Sequence, residues 1–245
     1  MTLPPLTRWK NSISKRLCWK AHLSDAVSNI QSSFKEISTL EAMLAVPLQY
    51  RGKGYYNTLD LKQNFREILG LVQVLEQYPL KRICEIGTNK GGTLFIWCQL
   101  AAINAKIISI DLPGGAFGGG YTKRSIPFFE SFCKDSQELT CLRLNSHDSA
   151  TRDRLENVLE GDLLDFLFID GDHSYEGVKS DFTIYSKLVR PGGIIGFHDI
   201  IERPEHPSIE VHRFWEELKK HYRHHEFIDS SGQSRKIGIG IVYVN

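Results

Sequence analysis

The chain has 245 residues, with 41% hydrophobic and 24% charged side chains, the balance of a soluble globular protein with room for one α/β domain and an appendage. Thirty basic residues against 29 acidic ones leave a net charge of +1, which gives no basis for nucleic-acid binding through overall charge. There is no run of eighteen apolar residues and no signal-peptide core, so the expectation is a cytoplasmic protein.

The five cysteines (Cys18, Cys84, Cys98, Cys133, Cys141) are scattered without C-x-x-C spacing, and read as buried, reduced thiols. Residues 1–24 carry Arg8, Lys10, Lys15, Arg16 and Lys20, with Leu6, Trp9, Ile13 and Leu17 at helical spacing. Such a helix can meet an anionic membrane surface, but packing on its own domain or on a second copy in a homo-oligomer is favoured. One or two further helices are expected over 26–45, followed by a loop, VPLQYRGKGYYNTLD, whose Tyr50, Tyr55 and Tyr56 suit equally a cleft mouth or the packing of an N-terminal cap. Leu61–Leu75 reads as an amphipathic helix. The division expected is a helical extension or cap over 1–60 and the main α/β domain over 61–245.

From Leu80 onward strand and helix alternate. The pattern predicts strands at 81–86, 106–110, 139–144, 164–169, 193–197, 224–228 and 237–243. Helices are expected at 91–103, 124–135, 150–159, 175–189 and 208–221. The fold class is α/β: a doubly wound, Rossmann-like seven-stranded sheet with a terminal antiparallel strand pair and a helical N-terminal cap.

The organising stretch is Leu163–Ile200, a strand, a crossover helix and a second strand, with Pro191-Gly192-Gly193 expected to stop the helix. A right-handed crossover brings both strand C-termini to one sheet edge, where open α/β sheets bind ligands. Asp170, Asp172 and His173 therefore meet His198 and Asp199. Upstream, the first strand runs into ICEIGTNKGGTLFIW. There Glu85, Gly87, Thr88, Asn89 and Gly91 form a tight turn that lets a ligand approach the backbone. Asp111, ending the second strand, suits the two hydroxyls of a ribose. After the third strand, Asn145, Ser146 and His147 suit the edge of an adenine, while Asp148 suits a helix N-cap. The turn fits neither G-x-x-x-x-G-K-[ST] nor G-x-G-x-x-G. The Gly-rich segment GGAFGGG spans 114–120.

The Glu85-Ile-Gly-Thr-Asn-Lys-Gly-Gly turn, Asp111 and the strand-end acids resemble class I S-adenosylmethionine-dependent methyltransferases. IDLPGGAFGGGY, FIDGDHSYEGVKSDF and PGGIIGFHDI resemble the bacterial group with macrocin-type sugar O-methyltransferases and cephalosporin hydroxylase-like proteins, over about residues 48–245. The resemblance implies S-adenosylmethionine as cofactor, held through Glu85, Gly87, Thr88, Asn89, Gly91, Asp111, Ser146, His147 and Asp170. It implies a divalent metal, Mg²⁺ first with Mn²⁺ or another ion as alternatives, on Asp170, His198 and Asp199. Those relatives have a carboxylate where this chain has His198. Catalysis would fall to His173 as general base and Asp170, acting on a hydroxyl of a saccharide or other small glycosylated acceptor. The competing readings are an NAD-dependent oxidoreductase and a cofactor-binding interaction module without catalysis.

Overall fold

A computed structural model describes residues 5–114, with side chains from Trp19 onward, and residues 119–134, 136–232 and 236–245. The apolar stripe of residues 6–17 and the centre of the Gly-rich segment, 115–118, lie outside the described side chains and residues.

Seven strands form one sheet in the order β3-β2-β1-β4-β5-β7-β6. They are β1 (Arg82–Ile86), β2 (Lys106–Ile110), β3 (Glu138–Leu142), β4 (Leu164–Ile169), β5 (Val189–His198), β6 (His224–Phe227) and β7 (Ile239–Tyr243). The first five are mutually parallel, and β7 runs antiparallel to both β5 and β6. Strand order reverses between β1 and β4, so the two strand ends open a crevice there.

The central strands are buried on both faces: all six residues of β4, LDFLFI, are buried, five of them apolar. Alternate residues feed two cores. Ile83, Ile107, Phe166 and Phe168 pack with α2 (Leu40–Gln49), α3 (Phe65–Leu75) and α4 (Gly92–Leu100) on one face. Cys84, Ile108, Leu167 and Phe197 pack with α6 (Ser149–Leu159), α7 (Tyr175–Tyr185) and α8 (Val211–Leu218) on the other. The short α5 (Ile126–Glu130) supplies Phe128 and Phe129 to the first core. The long N-terminal α1 (Pro5–Ser33) reaches that core through Ala26 and Ile30.

Local signals place the helix starts. The side chains of Thr39, Asn64 and Ser174 accept backbone N–H groups at the starts of α2, α3 and α7. Asp148 occupies the N-cap position of α6 without a side-chain cap bond.

Three expectations shift. The helix expected over 175–189 ends at Tyr185, and β5 begins at Val189, so Pro191-Gly192-Gly193 lies within the strand's irregular start. There Leu164 pairs with Val189 and Phe166 with Ile194, and Arg190 Nε anchors the bulged chain on Asp165 Oδ1 at 2.6 Å. The helix expected over 124–135 shortens to Ile126–Glu130, because the Ser131 hydroxyl turns back to the Phe128 carbonyl at 2.6 Å. The amphipathic helix expected from Leu61 starts at Phe65, since Asn64 caps it. Tyr50 and Tyr56 are buried against Phe128, with ring centroids 5.5 and 5.4 Å away, whereas Tyr55 is exposed. For the first two, cap packing wins over a cleft mouth. The described cysteines Cys84, Cys98, Cys133 and Cys141 are free thiols.

Candidate active site

A cavity of about 580 Å³ lies across the C-terminal ends of β1, β2, β4 and β5, within the usual range for small-molecule sites. Gly87, Thr88, Asn89 and Gly92 line it after β1, with Asp111 and Ser146 after β2 and β3 to one side and Asp170, His173 and Asp199 after β4 and β5 to the other.

The Gly-rich turn leaves no room for side chains. Gly87 has φ +91°, and an added Cβ would stand 2.0 Å from the Asp170 carbonyl oxygen, so β1 and β4 approach as closely as glycine permits. Asn89 takes the left-handed conformation at φ 51°. Asp111 binds this turn: one carboxylate oxygen accepts the Thr88 and Asn89 N–H groups at 3.0 and 2.6 Å. Burial outweighs these bonds and raises the Asp111 pKa to about 6.

Glu85 departs from its expected role. It is fully buried and absent from the cavity wall, accepting the Trp97 indole N–H and the Thr88 hydroxyl at 2.7 Å each. Burial lifts its pKa to about 7 despite the bonds from Thr93, Thr88 and Trp97. Strand parity explains the difference: Glu85 turns toward Trp97 on α4, so it shapes the turn from below. Ser146 and His147 do line the cavity, but Ser146 gives its carbonyl to the Tyr185 hydroxyl at 2.6 Å. The His147 ring lies 3.4 Å from the fully buried Asp181 carboxylate.

On the β4 and β5 side, Asp199 directly follows β5 with φ 62°, a conformation unusual outside glycine. Its carboxylate faces His173, whose Nδ1 is 2.6 Å from Asp199 Oδ2, while the other oxygen takes the Arg203 guanidinium. Asp170 accepts Gln63 Nε2 at 2.8 Å on one oxygen and His198 Nδ1 at 3.0 Å on the other. Burial alone would lower the pKa of His173, but Asp199 and Asp170 outweigh it and the net shift is upward. For His198 the same contest, led by Asp170, ends at about 9. Burial pushes Asp199 up, yet His173, His198 and Arg203 bring it down to about 2.

Among the described residues, Asp170, His173 and Asp199 can each place one donor atom within 4.8 Å of the others, the spacing of a metal site. His198, expected as a ligand, is not in that group: its Nδ1 is committed to Asp170 and its buried Nε2 has no hydrogen-bond partner. Each carboxylate oxygen can accept more than one bond, so Asp170 and Asp199 keep capacity for a cation. Sequence reasoning missed Gln63, Arg203, Asp60 and Lys62, which all line the cavity. Arg203 carries a weak signal, four residues after Asp199; Gln63 carries none.

Residues 84–200 match the family model of a methyltransferase domain. Over that segment, a little under half of its length, the chain is similar to a methyltransferase domain. Its seven-stranded fold is shared with solved O-methyltransferases. The O-methyltransferase TomG from Streptomyces achromogenes, solved with S-adenosylmethionine, superimposes with a TM-score of 0.56 at 14% identity, over 90% of each chain. An O-methyltransferase from Bacillus cereus with S-adenosylhomocysteine gives 0.52 at 18% identity, over 87% of this chain and 91% of that one. At these identities the likeness is one of fold. A protein of Acanthamoeba polyphaga mimivirus is 33% identical over 136 residues, which cover 56% of this chain and 58% of that protein. A protein of Sinorhizobium fredii is 28% identical over 141 residues, covering 56% of this chain and 15% of that one. The match thus spans little more than half of the first relative and a small part of the second. No helix of the described residues is long and apolar enough to cross a membrane.

Proposed function

We propose that the protein transfers a methyl group from S-adenosylmethionine to a hydroxyl of a saccharide or glycosylated metabolite, with His173 as the general base. The observation that carries this reading is the His173–Asp199 pair, 2.6 Å apart, standing beside Asp170 in a cavity also lined by a glycine turn.

S-adenosylmethionine supplies a methyl group made electrophilic by its sulfonium. Gly87, which cannot carry a Cβ without meeting Asp170, and Asp111 on the neighbouring strand fit a nucleoside lying across the strand ends. Asp111 would accept the ribose hydroxyls, and Ser146 and His147 would border the base. Asp199 holds His173 through Nδ1, so Nε2 is the nitrogen that takes the hydroxyl proton; it lies 3.9 Å from Asp170 Oδ1. The carboxylate favours the imidazolium that results. Gln63 and Arg203, bound to Asp170 and Asp199, with Ile209 and Ile237 in the cavity wall, suit an acceptor bearing several polar groups and a modest apolar face.

The clustering of Asp170, His173 and Asp199 supports a second reading, in which a divalent cation assists. Those residues would hold it, and it would lower the pKa of the acceptor hydroxyl. His173 would then be a ligand beside Asp170 and Asp199 rather than the free base.

The test is incubation with S-adenosylmethionine and a panel of glycosides, reading S-adenosylhomocysteine and a methylated product by mass spectrometry. Product with wild type and a loss of about 10²-fold or more in His173→Ala support the reading. Methylation of nitrogen or sulfur acceptors alone would overturn it.

A further inference from the structure

We infer that Gln63, in the segment leading into α3, binds a second hydroxyl of the acceptor next to the one that is methylated, so that the acceptors are vicinal diols. This rests on the proposed methyl transfer to a hydroxyl and adds a residue from outside the matched segment 84–200.

Gln63 is only 6% exposed, yet it lines the cavity. Its amide has a settled direction. Asp170 Oδ2 lies 2.8 Å from Gln63 Nε2, and a carboxylate accepts without donating, so the amide turns its NH₂ group to it. The carbonyl oxygen Oε1 stands on the other side of the amide. Among the described residues it has no hydrogen-bond partner, and it is not one of the buried atoms left unpaired. In a side chain so deeply buried, the accessible atoms are those that open onto the cavity.

The backbone that carries Gln63 is held on both sides. A Cβ on Gly92 would lie 2.8 Å from the backbone N and Cα of Leu61 and 3.0 Å from the Leu59 carbonyl oxygen, so the segment packs on the glycine turn as closely as glycine permits. On the other side, Asn64 accepts the Arg66 N–H at 2.8 Å and starts α3. The amide is therefore in place before an acceptor arrives, and little ordering is left to oppose binding.

Asp170 sets the spacing to the reacting hydroxyl. Its Oδ1 lies 3.9 Å from His173 Nε2, and its Oδ2 holds Gln63, so a single carboxylate separates the base from the amide. An acceptor that presents one hydroxyl to His173 has the substituent of the neighbouring carbon beside Gln63. Oε1 calls for a donor and the remaining N–H for an acceptor; a hydroxyl is both. An acceptor with no hydroxyl there would exclude water and leave Oε1 unpaired, which costs more than the bond itself contributes.

The test compares methyl glycosides of glucose, galactose, mannose and rhamnose with their monodeoxy analogues, reading kcat/KM from release of S-adenosylhomocysteine. For a glycoside that wild type methylates, removal of one particular neighbouring hydroxyl is expected to lower kcat/KM by about tenfold or more. In Gln63→Met, which keeps the length of the side chain, that preference should fall to within about twofold. Loss of the Asp170 contact in the same variant slows both acceptors alike and does not move their ratio. The inference is overturned if wild type uses every deoxy analogue that keeps the methylated hydroxyl as well as its parent, or if Gln63→Met retains the full preference. The wild-type comparison decides even where the variant fails to fold. Failure of wild type to methylate any glycoside would overturn the proposed saccharide methylation, and the inference with it.

Discussion

His173 Nδ1 stands 2.6 Å from Asp199 Oδ2, while Arg203 holds the other oxygen of the same carboxylate. Asp199 is thereby fixed from two sides, and it fixes the imidazole in turn. The net effect on His173 is an upward pKa shift: burial opposes it, and the two aspartates outweigh burial.

A base must be neutral to accept a proton, so the rate is expected to rise with pH through a group titrating above the ordinary imidazole value. His173→Ala removes that limb and lowers the rate by about 10²–10⁴-fold. Asp199→Asn keeps the ring but loses its anionic partner, so the limb moves to lower pH. A pH–rate profile unchanged in both variants would leave His173 a positioning role.

Metal dependence separates the two readings of this end of the site. If a cation binds, its affinity rises with pH, because it must displace protons from imidazole. Mn²⁺ binding followed by electron paramagnetic resonance should then weaken in Asp170→Asn, Asp199→Asn and His173→Ala. His198→Asp should leave the ion preference unchanged, since His198 lies outside the ligand group; His173→Asp should turn it toward Mg²⁺. Absence of Mn²⁺ binding, together with full activity in chelator, would leave the His173–Asp199 pair to act alone.

Asp111 offers a second pH test. Its pKa is raised to about 6 by burial, against the pull of the Asn89, Thr88 and Leu112 N–H groups. Only the carboxylate accepts both ribose hydroxyls, so affinity for S-adenosylhomocysteine should be full above this value and fall as pH drops through it. Asp111→Ala should cost on the order of 2–3 kcal/mol of binding at pH 8 and remove the pH dependence. Affinity as tight as wild type would remove Asp111 from the ribose.

Much of this arrangement is legible in the sequence, for identifiable reasons. Strands buried on both faces read as apolar runs, so LDFLFI announces β4 and the acids after it announce a sheet edge. Glycine where φ is positive announces the turn at Gly87 and Gly91. Glu85 misleads because its partner, Trp97, comes twelve residues later and on the other side of the turn. Gln63 and Asp60 are silent, and Arg203 only faintly signalled, because their positions depend on loops outside the alternating pattern. Nothing local to Gln63 points to Asp170, a contact 107 residues away in sequence. The bulge at Pro191–Gly193 is hidden for a similar reason: it depends on Arg190 finding Asp165.

Glu85 supplies a stability prediction. Its folded-state pKa of about 7 is raised above the ordinary 4.5 by burial, so the folded protein holds this proton more tightly than the unfolded chain. Its contribution is therefore fully present below about pH 4.5, diminishes as pH rises, and is lost through about pH 7. Glu85→Gln, which keeps an acceptor for Trp97 and carries no charge, should flatten that decline and be more stable than the parent at pH 8 by roughly 1–3 kcal/mol. Thermal unfolding at pH 5 and pH 8 checks this; a wild-type decline that persists undiminished in Glu85→Gln would place its source elsewhere.

The most direct measurement is calorimetric titration of the intact protein with S-adenosylhomocysteine and with NAD under the same conditions. Micromolar binding of S-adenosylhomocysteine, with none of NAD, is the predicted result. Tight binding of NAD with no response to S-adenosylhomocysteine would contradict the proposed methyl transfer.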